Sequence, residues 1–259
     1  MISYSKVSTY NECPYLYRLK YLDKLKTKFD ERATNPLCLG TAIHTGIENR
    51  SIQAAVDAYT SEYSIWSVNN DVEIVKMETI LPVAFKEIPE GTYEYKLLVD
   101  DFIGFIDLLV QIDDSTYDLY DFKYSNNAEH YMSSGQVHIY KYYYEKVTGN
   151  KIRNMHYALI PKCTETLQTK SERQLKESIE QLKEQHIQFV PIEYDPQQIV
   201  FFEARKKQML EAKEFPKRPN KLCWYCDFRK YCQSNGVDTS ELKKKIEVKE
   251  EKIEEVSLW

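Results

Sequence analysis

Glycine is scarce in this chain, with seven in 259 residues against 21 tyrosines and ten phenylalanines. A sequence so poor in glycine and so rich in aromatics is neither low-complexity nor short of material for a packed core. No run approaches the roughly 18 consecutive apolar residues of a membrane-spanning helix. The opening MISYSKVSTY lacks the apolar stretch of a secretory leader. A glycine-rich phosphate loop of the G-x4-G-K-[ST] type is also missing, which argues against a nucleotide-driven motor. These absences predict a cytoplasmic protein. In that reducing setting the six cysteines read as metal ligands or buried thiols rather than disulfides.

An excess of positive charge is lacking too, since the net charge is −5. The distribution is uneven, however. Residues 1–30 hold six Lys/Arg (Lys6, Arg18, Lys20, Lys24, Lys26, Lys28) against Glu12, Asp23 and Asp30. Residues 205–232 hold nine against Glu211, Glu214 and Asp227. Such segments are either solvated helix faces or a local patch for phosphate.

The apolar pattern alternates between two periods. Residues 5–25 read as helix with a break near Pro14, and 38–60 and 66–88 as two more helices. Glu94–Val99, Phe102–Ile112 and Tyr117–Tyr124 are rich in aromatic and β-branched residues and predict consecutive antiparallel strands. Helix over 129–147, a strand over Asn154–Ile160, and helices over 170–190 and 196–213 follow, the last two parted by Pro191 and Pro196. The fold class is α+β.

The strands carry the chemistry. Asp121 and Lys123 are two apart and share a strand face. Asp107 interrupts an apolar strand, where a carboxylate is costly to bury without a compensating charge. A hard divalent cation, Mg²⁺ or Mn²⁺, compensates two such carboxylates; the bland alternative is a plain Asp–Lys ion pair. Gly40, His44 and Glu48 fall on one helical stripe, and Gln136 and Tyr140 lie one turn apart. Three further cysteines, Cys223, Cys226 and Cys232, stand at C-x2-C-x5-C spacing and lack a fourth ligand nearby.

The ordered set Gly40-x3-His44-x3-Glu48, Gly104-x2-Asp107, Asp121-x-Lys123 and Gln136-x3-Tyr140 resembles the RecB-type branch of the PD-(D/E)XK nucleases. The opening SYSKVSTYNECPYLYRLKYL is similar to the start of that branch's iron–sulfur members, the CRISPR-adaptation nucleases and AddAB-type nuclease domains. The resemblance covers Ser3 to Cys232, with Asp121 where many relatives have Glu. It implies a PD-(D/E)XK core with a central mixed sheet flanked by helices, as one nuclease domain over 1–235, and a charged tail over 236–259. Within that domain, 1–30 and 205–235 would form the iron–sulfur region.

It also implies residue roles. His44, Asp107, Asp121 and the Phe122 carbonyl would hold the divalent metal, and Lys123 would act on the attacking water. Gln136 and Tyr140 would position substrate. Glu48 and Glu94 are candidate helpers, with Glu94 read as a surface strand residue. Cys13, Cys223, Cys226 and Cys232 would hold a [4Fe–4S] cluster. Four thiolates also suit zinc, but one triplet with a distant cysteine is unlike the usual two close pairs, and Trp224, Tyr225, Phe228 and Tyr231 could shield sulfide. Cys38 and Cys163 read as core thiols, and His130, His138, His156 and His186 receive no role.

The expected activity is hydrolysis of single-stranded DNA or DNA ends by an exonuclease, in repair, recombination or spacer processing. The alternatives are a DNA-end-binding subunit of a helicase or CRISPR-adaptation complex with partner-gated cleavage, and a zinc-stabilised DNA-binding module. Tyr15, Tyr17 and Tyr21 are available for stacking but read as core. The ending EEVSLW resembles peptides that dock on bacterial sliding clamps, against the plainer reading of a frayed tail.

Overall fold

A computed structural model describes residues 1–243 of the chain. The clamp-like ending and the apolar positions Ile246, Ile253 and Val256 lie outside the described residues. Among the described residues no helix is long and apolar enough to cross a membrane. Contacts divide the chain into two units: Met1–Asn11 with Asp30–Lys213, and Glu12–Phe29 with the segment from Glu214 onward.

Helix α1 (Tyr4–Glu12) is followed by the short α2 (Pro14–Tyr17) and a π-helical turn, Arg18–Leu22. In the first unit, α3 (Pro36–Glu48) opens on Asn35, whose side chain accepts the Leu37 N–H at 3.0 Å, with Pro36 preset for the first turn. Its apolar face buries Leu39, Ala42, Ile43 and Ile47. The predicted helix over 38–60 is broken, because Arg50 takes φ +46°. Ser51 then caps a new helix, α4 (Ile52–Thr60), through the Ala54 N–H. Helix α5 (Val68–Glu87) matches the period-3.6 reading.

The sheet has the order β1-β2-β3-β4-β5, with β1 (Thr92–Val99), β2 (Phe102–Gln111) and β3 (Thr116–Tyr124) antiparallel in turn. Strand β4 (Lys151–Ile160) runs parallel to β3, which requires a crossover. Two helices supply it, α6 (Glu129–Met132) and α7 (Gln136–Thr148), the latter closed by Gly149 in a left-handed conformation. After α8 (Glu172–Glu180) the predicted helix over 170–190 stops. Gln188–Ile192 forms an edge strand, β5, antiparallel to β4. Pro191 is tolerated there because an edge strand has one side without ladder bonds. Helix α9 (Gln197–Glu211) ends this unit. The result is an α+β fold with a five-stranded mixed sheet flanked by helices.

Helix α5 buries an ion pair that tests the packing. Glu73 and Lys76 are each 1% exposed, and Lys76 Nζ donates to Glu73 Oε1 at 2.7 Å and to the Glu165 carbonyl at 2.6 Å. Burial raises the Glu73 pKa, so a proton is held more tightly in the folded chain than in the unfolded one. Stability from this group is therefore lost as pH rises above the ordinary glutamate range. Lys76→Met should cost about 3–5 kcal/mol in urea unfolding at pH 8, because it strands a buried carboxylate. The cost should shrink at pH 5, and Glu73→Leu added to Lys76→Met should recover most of it.

The second unit joins the early segment Glu12–Phe29 to the segment from Glu214 onward. Tyr15 N–H donates to the Pro216 carbonyl at 3.2 Å, and Lys28 N–H to the Glu241 carbonyl at 2.7 Å. A 3-10 turn, Lys221–Tyr225, leads to α10 (Arg229–Gln233).

Candidate functional site

Four elements of the first unit converge, α3, β1, β2 and β3. The stripe of α3 opposite its apolar face carries Gly40, His44 and Glu48 into an open groove of about 620 Å³ shared with Glu94 and Phe105. Strand β2 supplies Asp107, whose side chain retains 12% exposure, and β3 supplies Asp121, 1% exposed. His44 Nδ1 lies 3.7 Å from Asp107 Oδ1, and His44 Nε2 lies 3.0 Å from the Phe122 carbonyl oxygen. With the proton on Nε2, that carbonyl accepts it and Nδ1 presents a lone pair toward Asp107. Asp107 Oδ2 accepts the Phe122 N–H at 2.6 Å, tying β2 to β3 at the site.

One ligand atom each from His44, Glu94 and Asp107 lie within 4.8 Å of one another. Glu94 is thus part of the cluster and not a mere surface strand residue. The register passes from Tyr93↔Leu108 to Tyr95↔Ile106, which sets Glu94 across from Asp107. Its φ of +48° is left-handed, a conformation that costs a non-glycine residue about 1–2 kcal/mol. Local strain held at a carboxylate cluster is a sign of a working site. Sequence offered no signal for it beyond a glutamate preceding the Gly-x2-Asp strand.

The electrostatics are those of an acidic cluster that Lys123 only partly compensates. Burial, then the charge of Asp121, holds the Asp107 pKa well above the usual carboxylate range. Burial, then Glu48 and Asp121, raises that of Glu94. Burial lowers His44, leaving it the neutral form that ligates metals. Asp121 Oδ1 is buried with no hydrogen-bond partner, and Oδ2 has only the ion pair with Lys123. An orphaned carboxylate oxygen beside three convergent donors is a demand for a cation. The nitrogen and carboxylate set suits a hard or borderline divalent ion.

Lys123 is held from several sides. Its ammonium pairs with Asp121 and lies 5.6 Å and 5.7 Å from the ring centroids of Tyr131 and Tyr157. Burial alone would depress its pKa, but the charges of Asp121 and Asp107 outweigh it and the pKa is raised, so the cation persists. Tyr131 and Tyr157 were not identifiable from sequence, because only the parallel register of β3 on β4, with Asp121 opposite Tyr157, brings the second ring there. Gln136 Nε2 donates to the Tyr140 hydroxyl at 3.1 Å on α7. Tyr140 reaches the sheet because residue 104 is glycine: a Cβ there would lie 2.7 Å from Tyr140 Cε1. Glu48 lines the groove without joining the three-residue cluster.

Glycine at position 94 separates the backbone and ligand roles. Glu94→Gly should raise the thermal midpoint of the metal-free protein by about 2 °C through relieved strain. The same change should remove most of the stabilisation that Mn²⁺ gives, as read by melting with and without the ion.

In the second unit, Cys13, Cys223, Cys226 and Cys232 line one cavity of about 270 Å³ together with Leu16, Leu19 and Phe228. Burial raises the Cys226 and Cys232 pKa values. Among the described residues no three of these sulfurs lie within 4.8 Å of one another. The expected aromatic shield is only partly formed. Phe228 is 3% exposed, but Trp224 and Tyr225 are 70% and 87% exposed, because the 3-10 turn directs them outward. Cys38 and Cys163 are buried, and Tyr17 is core, while Tyr15 and Tyr21 are half-buried. His138 accepts the Asp195 N–H, His156 stacks on Tyr120, and His186 pairs with Glu87, all outside the site.

The sequence profile of the PD-(D/E)XK nuclease superfamily matches residues 1–233. No curated protein matches the chain. Among solved structures, a candidate exonuclease from Eubacterium rectale superposes with a TM-score of 0.54 at 13% identity, covering 88% of this chain and 86% of its own. At that identity the likeness is one of fold.

Proposed function

Because the chain belongs to the PD-(D/E)XK nuclease superfamily, we propose that it is a divalent-metal-dependent deoxyribonuclease that removes nucleotides from the ends of single-stranded DNA. The observation that carries the reading is the convergence of His44, Glu94 and Asp107 beside the partly orphaned Asp121 and its Lys123. His44, Asp107, Asp121 and the Phe122 carbonyl, with Glu94 added, would hold Mg²⁺ or Mn²⁺. The ion supplies a lowered pKa for water and offsets charge on the phosphate. Lys123 orients the attacking water and stabilises negative charge growing on the phosphate oxygens, as a cation already fixed before substrate arrives. Gln136 donates to the Tyr140 hydroxyl, and the pair, which lines a neighbouring pocket with Gly104 and Phe105, would position substrate. Space for a strand exists beside His44, where even a Cβ on Gly40 would meet no atom within 4 Å.

Exonuclease action agrees with the name of the Eubacterium rectale structure. A circular single strand should then resist digestion under conditions that degrade the same strand once linearised. Equal loss of both circles and linear strands would make the enzyme an endonuclease. Roles in repair, recombination or spacer processing, with a helicase or CRISPR-adaptation complex as partner and the tail on a sliding clamp, belong to the same proposal.

The four cysteines are proposed to hold a [4Fe–4S] cluster. In a closed tetrahedral thiolate site all sulfurs lie about 3.8 Å apart, as Zn–S bonds of about 2.3 Å require. The cavity of about 270 Å³ that the four cysteines line here supports a body larger than one ion. Anaerobically purified protein should contain iron and acid-labile sulfide, and Cys13→Ala should lose both; stoichiometric zinc without sulfide would reverse the assignment.

A further inference from the structure

The turn Lys221–Tyr225 displays its largest side chains to solvent. Trp224 is 70% exposed, Tyr225 87% and Leu222 45%, although Phe228, in the same cysteine segment, is fully packed. The Arg229 guanidinium lies 4.1 Å from the Trp224 ring centroid and braces the indole from one side. Large apolar groups held out of a core, with one of them oriented by an arginine, mark a surface that another molecule covers.

Charge selects the class of molecule. Residues 217–232 hold Lys217, Arg218, Lys221, Arg229 and Lys230 against the single Asp227. The described residues of the second unit hold eleven Lys/Arg against six Asp/Glu, while the whole chain is net negative. Tryptophan, tyrosine and arginine are common at protein interfaces as well, but lysine is depleted there. Lysine and arginine interleaved with exposed rings is the makeup of single-strand binding surfaces, where phosphates pair with the cations and unpaired bases stack on the rings. A duplex offers no free base face to such rings.

We propose that the turn is a binding site for single-stranded DNA, with Trp224 and Tyr225 stacking on successive bases and Arg218, Lys221 and Arg229 facing the phosphates. This rests on the nuclease reading for its choice of substrate, and it adds a second contact surface for the same strand. Neither ring belongs to the nuclease motifs or to the four-cysteine set, so the platform can be altered without touching either.

The test uses the full chain with EDTA and a fluorescein-labelled 12-residue oligo-dT, read by anisotropy. Trp224→Leu and Tyr225→Leu should each raise Kd about tenfold, the effect expected from removing one stacked ring. Trp224→Phe, which keeps a stacking face, should stay within about threefold of wild type. A blunt duplex of two annealed strands should bind more weakly than the single strand and be indifferent to Trp224→Leu. Single-strand affinity unchanged in both leucine variants would overturn the proposal, as would equal losses for the duplex, which would indicate a nonspecific or protein-binding surface. Mn²⁺-dependent cleavage of bis(p-nitrophenyl) phosphate, which has no bases to stack, should be the same in every variant. Failure of the wild type to cleave that compound would count against the nuclease reading alone and leave the anisotropy result to decide this one.

Discussion

Lys123→Ala should lower metal-dependent phosphodiester cleavage by about a thousandfold while leaving single-strand affinity within a few-fold. The size follows from removing one preorganised charge aimed at the developing oxyanion. Lys123 is well placed for that role, because the Asp121 carboxylate and the rings of Tyr131 and Tyr157 fix its ammonium before substrate arrives. Its side chain is 20% exposed, so the charge acts in a partly water-excluded setting. Arginine should not rescue, since a planar guanidinium cannot occupy the compact space of an ammonium between two rings and a carboxylate. A second consequence separates this account from a merely structural lysine. Removing Lys123 strands Asp121, whose side chain is 2% exposed, at a cost of about 3 kcal/mol in the metal-free protein. Mn²⁺ should return most of that loss, so the rise in melting temperature on adding the ion should be larger in the variant than in wild type. Equal rises would mean that Asp121 does not face the ion.

Asp107→Asn should do the opposite to stability. In the metal-free protein Asp107 is a buried carboxylate facing a second one, and both burial and the Asp121 charge oppose its ionisation. Asparagine keeps the acceptor for the Phe122 N–H and removes the charge, so the metal-free variant should melt at or above wild type. The rise with Mn²⁺ should disappear, and cleavage should fall by at least a thousandfold. A variant that is more stable, folded and inactive would show that the carboxylate is retained for the ion and at the expense of the fold. An Asp107→Asn protein that still gained stability from Mn²⁺ would move the ion elsewhere.

Much of this site is legible in the sequence because local periods suffice to place it. Gly40, His44 and Glu48 share a face through helical spacing, and Asp121 and Lys123 through strand alternation. What is not legible depends on register and backbone conformation. Glu94 enters the cluster through its position across from Asp107 and a left-handed φ, neither of which its neighbours announce. Tyr157 reaches Lys123 through the parallel pairing of β3 with β4, between segments about 35 residues apart. Strand β5 was obscured because Gln188–Ile192 is short, contains Pro191 and follows a helix, so only the open edge of β4 makes it a strand. The division of 38–60 into two helices turns on Ser51 acting as a cap, a signal present in the sequence but outweighed by a continuous apolar pattern.

The central claim is that the convergent carboxylates and His44 serve a divalent ion in cutting DNA. It is tested most directly by incubating a 5′-labelled linear single strand with wild type and Asp107→Asn, side by side, in Mn²⁺ and in EDTA. Products from wild type in Mn²⁺ alone, and none from the variant, are what the account predicts. Cleavage that persists in EDTA, or in the variant at the wild-type rate, would contradict it.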